Sequence, residues 1–238
     1  MVSIAVIGLG NFGCRLLDEL ADSEADIIII DRDRDIVERY KERVRDAYIT
    51  DALSHEALQK MIPDDIDSVV VDLGGQLESS ILVTNYLHKL GVRRIIVKAK
   101  SDEHGEILKL VGASLVVLPD LDAAQKVAPM LMSSVLFNFM QISENFALAE
   151  VSVLPEITGK SLVSVNFRQH YGLNVVAWRR SNQDEFQFVS GPDFEFEQGM
   201  TLLAAGTDTD IQKYVEKRGA RPSRNKSLFA NLFVHHHR

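Results

Sequence analysis

The sequence predicts an α/β fold: a Rossmann-like, doubly wound parallel sheet followed by a small α+β domain. Between residues 3 and 118, six short apolar runs alternate with stretches of helical spacing, the pattern of parallel strands joined by helices. The runs are apolar at consecutive positions and rich in Ile and Val, as strands covered on both faces are. Beyond about residue 143 the pattern changes to one strand, a helix, three strands and a helix, which indicates a separate α+β unit.

The first part is expected to contain regular pairs of strand and helix. Strands are predicted at 4–8, 27–30, 47–49, 69–71, 95–97 and 115–118. Helices are predicted between them, near 12–21, 34–44, 54–61, 77–89 and 103–111. Right-handed crossovers then make the doubly wound topology the simplest arrangement. A longer helix is predicted over 122–140, because the spacing stays helical there and no seventh strand–helix pair follows.

The second part begins with an alternating strand at 147–154. A helix near 161–170, strands near 173–180, 186–190 and 201–205, and a last helix over 208–217 are expected to follow. We therefore expect an N-terminal domain at 1–140, a C-terminal domain at 141–218 and a basic, then apolar, tail at 219–238. The three histidines near the end of the tail are consistent with a native sequence or with the remnant of a purification handle.

Composition narrows the function class. The chain has 238 residues and a formal charge of −8, and the acidic excess lies entirely within residues 1–140, which argues against a nucleic-acid-binding surface there. Cys14 is the only cysteine and no signal sequence opens the chain, so a cytoplasmic location is expected. No window approaches the roughly 20 consecutive apolar residues of a membrane helix.

A glycine motif follows the first strand and opens the first helix: Gly8-Leu9-Gly10-Asn11-Phe12-Gly13. In this context Gly8 permits the tight turn, Gly10 lets a pyrophosphate approach the backbone and Gly13 allows close contact of helix and strand. The amides of the helix N-terminus attract phosphates. The motif therefore predicts a nucleotide site.

Asp31 lies at the end of the second strand, where a carboxylate accepts hydrogen bonds from ribose hydroxyls. Its charge would repel the 2′-phosphate of NADP, so an unphosphorylated ribose is favoured. The expected ligand is an adenine nucleotide, and NAD(H), ATP, ADP and AMP all remain open.

The residues do not favour an enzyme. Hydride transfer needs an acid–base group and a domain that encloses the substrate, but the second domain is small and His170, its only histidine before the tail, lies in a polar segment. No HExxH, CxxC or P-loop pattern is present. An NAD-dependent oxidoreductase with a reduced substrate domain remains an alternative. So does an NADH-sensing regulator, although no helix-turn-helix flanks the fold.

The chain resembles the RCK (regulator of conductance of potassium) or TrkA/Ktr family, the cytosolic gating subunits of potassium transporters and channels. The resemblance covers residues 1–218 and depends on the order and spacing of its segments. These are IAVIGLGNFG (4–13), IIIIDRD (27–33), ITDAL (49–53), VVVDLGG (69–75), GVRRIIVKAKS (91–101), VGASLVVLPDLDAA (111–124), EITGKSLVSVNFRQHYGLNVVAWRR (156–180) and FVSGPDFEFEQGMTLLAAG (188–206). It implies a non-enzymatic regulator in which a nucleotide selects one of two conformations.

The resemblance also implies roles within the nucleotide site, which includes Asn11 and Phe12 of the glycine motif. The further site residues would be Asp31 and Arg32 at the ribose and adenine side, Asp51 and Ala52 at the adenine pocket, Gly74 at the edge of the crevice and Lys98 facing the phosphates. Lys98 also ends a predicted strand, where ligands of such sheets bind. Some relatives carry Arg where this chain has Asn11, so their preference for ATP over ADP does not carry over.

By the same resemblance, two N-terminal domains would pair through the crossover helix at 122–140, and dimers would form an octameric ring. The ring would lie on the inner face of the plasma membrane, held by an integral-membrane potassium transporter or channel subunit. Asp120 matches a position near a divalent cation in relatives. The C-terminal domain would bind cyclic di-AMP between two copies, through Leu162, Val163, Asn166, Arg168 and Pro192.

Overall fold

The computed structural model describes residues 2–131, 133–143, 145–180 and 184–217. Contacts within the chain divide it into two compact units, Met1–Asp120 and Leu121–Arg238. The expected tail at 219–238 lies outside the described residues.

The first unit contains a six-stranded parallel sheet with the strand order β3-β2-β1-β4-β5-β6. Its elements are β1 (Ser3–Ile7), α1 (Asn11–Glu19), β2 (Asp26–Asp31), α2 (Arg34–Tyr40) with a 3-10 turn (Lys41–Arg43), β3 (Asp46–Ile49), α3 (His55–Met61), β4 (Ser68–Val71), α4 (Leu77–Lys89), β5 (Ile95–Lys98), α5 (Asp102–Leu110) and β6 (Leu115–Val117). The doubly wound α/β fold predicted from the sequence is confirmed.

Burial on both faces explains the consecutive apolar residues of the strands. Successive side chains of a strand point to opposite faces, and both faces of β1 are covered. Val6 belongs to a cluster with Leu17 of α1, whereas Ile7 belongs to another with Leu58 of α3 and Leu108 of α5. Each fully buried side chain of this size contributes about 1.5–3 kcal/mol. The sheet is therefore a rigid base for the loops at its edge.

Helix α1 begins differently from α2, α3 and α5. Asp33 caps α2, Ser54 caps α3 and Ser101 caps α5, in each case by accepting a hydrogen bond from an amide of the first turn. Gly10 precedes α1 and has no side chain to accept such a bond. The first amides of α1 are therefore left for another part of the fold.

The second unit contains a five-stranded antiparallel sheet with the order β10-β9-β11-β8-β7. Helix α6 (Pro119–Leu131) precedes it. The remaining elements are β7 (Leu136–Ser143), β8 (Phe146–Ser152), a 3-10 turn (Pro155–Ile157), α7 (Leu162–Val165), α8 (Phe167–Tyr171), β9 (Asn174–Arg179), β10 (Gln187–Phe188), β11 (Thr201–Gly206) and α9 (Asp208–Glu216). An aromatic cluster of Phe167, Tyr171, Phe196 and Tyr214 occupies its core. The predicted small α+β domain is confirmed.

The prediction of one helix over 122–140 is wrong beyond Leu131. Residues 136–143 form β7, which pairs with β8 and buries Leu136 and Phe139. A short apolar run satisfies helical and strand spacing alike, and only the pairing with β8 decides between them. The domain boundary expected after residue 140 falls inside this strand. The helix expected near 161–170 is likewise two short helices, separated at Asn166, whose backbone is left-handed with φ +48°.

Candidate functional site

A cavity of about 250 Å³ lies at the carboxyl edge of the parallel sheet. The strand order reverses there, between β1 and β4, and crevices at such a reversal are where doubly wound sheets bind ligands. The lining residues come from the end of β2, from the loops after β1, β2, β3 and β4, and from the first turns of α2 and α4. They are Gly8, Leu9, Gly10, Ile30, Asp31, Arg32, Asp33, Ile36, Thr50, Asp51, Ala52, Leu53, Asp72, Leu73, Gly74, Gln76 and Ser79.

Most of the predicted site residues meet at this cavity. Those in its lining are Gly8, Gly10, Asp31, Arg32, Asp51, Ala52 and Gly74. The lining does not include Asn11, Phe12, Gly13 or Lys98. Asn11 is exposed at the start of α1, and Phe12 packs against the hydrophobic cluster below that helix. The segments that the sequence analysis combined therefore do converge, although not all of their side chains reach the cavity.

The glycine motif is held closely against the sheet. Gly8 has φ +83°, and a Cβ there would lie 2.2 Å from the Asp72 carbonyl oxygen. A Cβ at Gly13 would lie 2.6 Å from the Gly8 carbonyl oxygen. These positions require glycine because backbone atoms occupy the space that a side chain would need.

Asp31 fastens the end of β2 to the glycine motif. One carboxylate oxygen accepts a hydrogen bond from the Leu9 amide, and the other accepts from the Asp33 amide at 2.8 Å. Each carboxylate oxygen has two acceptor sites. Asp31 can therefore accept a further hydrogen bond from a ribose hydroxyl while it holds the loop.

The next loop supplies a polar residue and an apolar one. An Asp51 carboxylate oxygen accepts a hydrogen bond from the Leu53 amide at 3.0 Å, which closes the turn after β3. Ala52, between them, is buried. Arg32 is exposed at the entrance, where it can reach a ligand without being desolvated.

Sequence reasoning did not single out Asp72, whose side chain is buried at the end of β4. Its Oδ2 accepts hydrogen bonds from the amides of Phe12 at 3.1 Å and Gly13 at 3.0 Å. Its Oδ1 accepts from the Gly74 amide at 3.4 Å and lies 3.4 Å from the Lys98 ammonium. The amides of α1 that were expected to attract phosphates therefore already have an anionic partner. The signal in the sequence was an acid directly after a buried strand.

Asp72 also accounts for Gly10 and Lys98. A Cβ at Gly10 would lie 2.5 Å from Asp72 Oδ2, so the glycine makes room for a carboxylate at the approach that the sequence analysis assigned to a pyrophosphate. Lys98, three-quarters buried, forms an ion pair with Asp72. The expected contact of Lys98 with a ligand phosphate stays a prediction.

The lining of the cavity is acidic. Asp31, Asp33, Asp51 and Asp72 face one arginine, Arg32, among its residues. A carboxylate accepts hydrogen bonds from hydroxyl donors and repels a second anion nearby. The cavity is thus better suited to a nucleoside than to a chain of phosphates.

The other predicted features are not among the residues that line the cavity. Asp120 is exposed in α6, and within the described residues no group of three or more His, Cys, Asp or Glu side chains could hold a metal ion. In the second unit, the Val163 amide donates to the Pro192 carbonyl at 2.9 Å, so two of the residues expected at a cyclic di-AMP site are adjacent. No helix built from the described residues is long and apolar enough to span a membrane.

The fold and the site together define a class of protein: a Rossmann-like domain of the nucleotide-binding type followed by a small α+β domain. Residues 4–119 match the TrkA-N domain and residues 148–219 match the TrkA-C domain. The chain is 33% identical over 215 residues to the Ktr system potassium uptake protein C of Bacillus subtilis (strain 168). The matched region covers 90% of this chain and 96% of that protein. The chain belongs to the TrkA/Ktr family of potassium uptake proteins, which confirms the resemblance.

More distant proteins share the fold. The Ktr system potassium uptake protein A of Bacillus subtilis (strain 168) is 25% identical over 210 residues, covering 88% of this chain and 94% of that one. The GsuK RCK domain superimposes with a TM-score of 0.65 at 18% identity, over 93% of this chain and 48% of that chain. A GsuK channel bound to NAD superimposes with a TM-score of 0.64 at 18% identity, over 93% of this chain and 40% of that chain. At this identity the solved structures show that the RCK fold is shared.

Proposed function

We propose that this protein is a regulatory subunit of a potassium uptake system, in which an adenine nucleotide binds at the carboxyl edge of the parallel sheet and controls a separate membrane subunit. The observation that carries the proposal is the cavity beside Asp31 and the glycine motif, in a chain related over nearly its whole length to a Ktr protein. The nucleotide acts by differential affinity for two conformations.

The cavity supports an adenine nucleotide as ligand. Asp31 accepts hydrogen bonds from the ribose, while Ile36 and Ala52 supply apolar surface for the base. A volume of about 250 Å³ lies below the ~300–1,000 Å³ typical of pockets that enclose drug-sized ligands. The cavity is therefore closer in size to one nucleoside than to a dinucleotide. ATP, ADP and NAD(H) are accordingly compared as ligands in a binding titration.

Binding without turnover is the expected behaviour. The residues that line the cavity, all within the described part of the chain, include no His, Cys or Lys. The carboxylates among them, those of Asp31, Asp33, Asp51 and Asp72, each accept hydrogen bonds from backbone amides. An NAD-dependent oxidoreductase would need an acid–base group directed at the substrate beside the nicotinamide. This favours a regulator over an enzyme.

Assembly is proposed to proceed through α6 of two copies. Val127 and Leu131 of that helix are 47% and 80% exposed, and exposed apolar side chains on one helix suit a partner surface. By analogy with the family, dimers form an octameric ring on the cytoplasmic side of a membrane-embedded potassium transporter or channel subunit. A divalent cation at Asp120 and cyclic di-AMP in the second unit stay predictions.

The test is a binding titration of the full chain with adenosine, AMP, ADP, ATP, NAD and NADH. We expect one nucleotide per chain and no conversion of it. Asp31→Ala removes the ribose acceptor and should weaken binding about tenfold or more, because a hydrogen bond to a charged group contributes about 1.5–3 kcal/mol. Asp35→Ala, on the exposed first turn of α2, is the matched control and should bind as the wild type does.

The regulatory role is tested by potassium uptake into vesicles that carry a Ktr membrane subunit. Addition of the full chain should change the uptake rate, and the nucleotide that binds should change it again. A chain that binds none of the six ligands, or that turns one over steadily, contradicts the proposal.

A further inference from the structure

The Asp72 carboxylate occupies an anion-binding position of the fold. Its Oδ2 lies 3.1 Å and 3.0 Å from the amide nitrogens of Phe12 and Gly13 at the N-terminus of α1, and only 1% of the residue is exposed. Amides at a helix N-terminus bind anions because they point outward and lie at the positive end of the helix dipole. Asp72 therefore supplies these amides with the negatively charged acceptor that a ligand phosphate would otherwise provide.

The position cannot hold both groups at once. An added Cβ at Gly10 would lie 2.5 Å from Asp72 Oδ2, so the carboxylate fills the close approach to the glycine motif. A diphosphate that reached the amides of Phe12 and Gly13 would have to displace this oxygen. It would also meet the charges of Asp31 and Asp33 in the same lining.

One cation offsets this charge. The Lys98 ammonium lies 3.4 Å from Asp72 Oδ1, at the end of the neighbouring strand β5. Lys98 already forms an ion pair with Asp72 and does not line the cavity. A ligand phosphate would therefore have to compete with Asp72 for Lys98 as well as for the amides.

We propose that Asp72 is a specificity-determining residue, an internal anion that holds the phosphate-binding amides of α1 and so weakens the contribution of a ligand's diphosphate to binding. This inference rests on the proposed function, since it assumes a nucleotide in the cavity. The nucleoside part of the ligand supplies most of the affinity. The protein therefore discriminates weakly between adenosine and its diphosphate.

The decisive variant is Asp72→Asn. The amide oxygen of asparagine has the shape of the carboxylate oxygen and still accepts from the Phe12 and Gly13 amides, but the negative charge is gone. Asp26→Asn is the matched control, because it removes the same charge from the opposite, amino-terminal end of a strand in this sheet. Titrations of the full chain with adenosine and with ADP, at low salt and with EDTA present, compare the two ligands without a bridging cation.

We expect Asp72→Asn to strengthen ADP binding about tenfold, equivalent to about 1.4 kcal/mol at 25 °C, and to change adenosine binding less than twofold. Asp26→Asn should leave the ratio of the two dissociation constants unchanged. If Asp72→Asn does not fold, Asp72→Ser replaces it, because serine removes the same negative charge and its shorter side chain leaves the Phe12 and Gly13 amides free for a ligand phosphate. The same change in the ratio is expected.

Four results overturn the inference. An unchanged ratio in a folded Asp72 variant, or an ADP affinity that falls, shows that Asp72 does not oppose the diphosphate. A wild-type protein that binds ADP over a hundredfold more tightly than adenosine shows the same, and all three results leave the proposed nucleotide site intact. A wild-type protein that binds neither adenosine nor ADP removes this inference, and one that binds none of the six ligands removes the proposed function as well.

Discussion

Replacing Gly13 with alanine places a methyl group 2.6 Å from the carbonyl oxygen of Gly8 and 3.5 Å from a side-chain carbon of Val6. The first of these distances is well inside van der Waals contact, and its partner is a backbone atom that no rotamer change can move. Helix α1 must therefore shift away from β1, or the turn at Gly8 must distort. Either change alters the loop that lines the cavity.

Two opposing terms set the magnitude. Alanine is favoured over glycine inside a helix by about 0.5–1 kcal/mol, whereas overpacking of a well-packed site costs about 1–3 kcal/mol. The expected net loss in the free energy of unfolding is thus about 1 kcal/mol. Ligand affinity should also fall, because the shift moves the segment from Gly8 to Gly10, which lines the cavity.

Urea unfolding and an adenosine titration of the Gly13→Ala protein measure the two effects. Gly191→Ala is the matched control, since nothing lies within 4 Å of its added Cβ and its φ is not positive. It should unfold and bind as the wild type does. A Gly13→Ala protein with unchanged stability and unchanged affinity would refute the packing argument for this glycine.

Three further results are expected. Burial lowers the pKa of His104, so as the pH falls this side chain is protonated in the unfolded chain before it is protonated in the folded one. The free energy of unfolding should therefore decrease below about pH 6.5. His104→Gln should reduce the difference between the urea midpoints at pH 7.5 and pH 5.5. Leu131→Asp, at an exposed position of α6, should convert the proposed assembly to smaller species by native mass measurement, whereas Lys126→Asp on the same helix should not. Asn166 has a left-handed backbone with φ +48°, which glycine adopts readily and alanine does not. Asn166→Ala should therefore lower the free energy of unfolding by about 1 kcal/mol, whereas Asn166→Gly should not. Equal stabilities of the two variants would contradict this prediction.

Local sequence was sufficient for most of the first unit. Runs such as Ile27–Ile30 are apolar at every position and consist of β-branched residues, which is typical of a strand with both faces covered. The spacing of the glycine motif and Asp31 likewise places two parts of the site at the ends of neighbouring strands. Each of these inferences depends on residues close together in the chain.

The error at residues 136–140 occurred because the partner that decides their structure lies outside the run itself. Residues 136–140 fit helix and strand alike, and their pairing with 148–151 of β8 settles the matter. That pairing depends on the turn and on the face each strand buries, neither of which the run itself encodes.

The sequence by itself determined the class of fold, the glycine loop at the carboxyl edge of its sheet and the family. Only the tertiary structure decided what occupies that loop. Asp72 is about 60 residues from Phe12 and Gly13, and it reaches them because β4 lies beside β1 in the sheet. Strand order arises from packing and crossover geometry rather than from any short segment. The contact of the Asp72 carboxylate with the first amides of α1 therefore becomes visible only when the sheet is assembled.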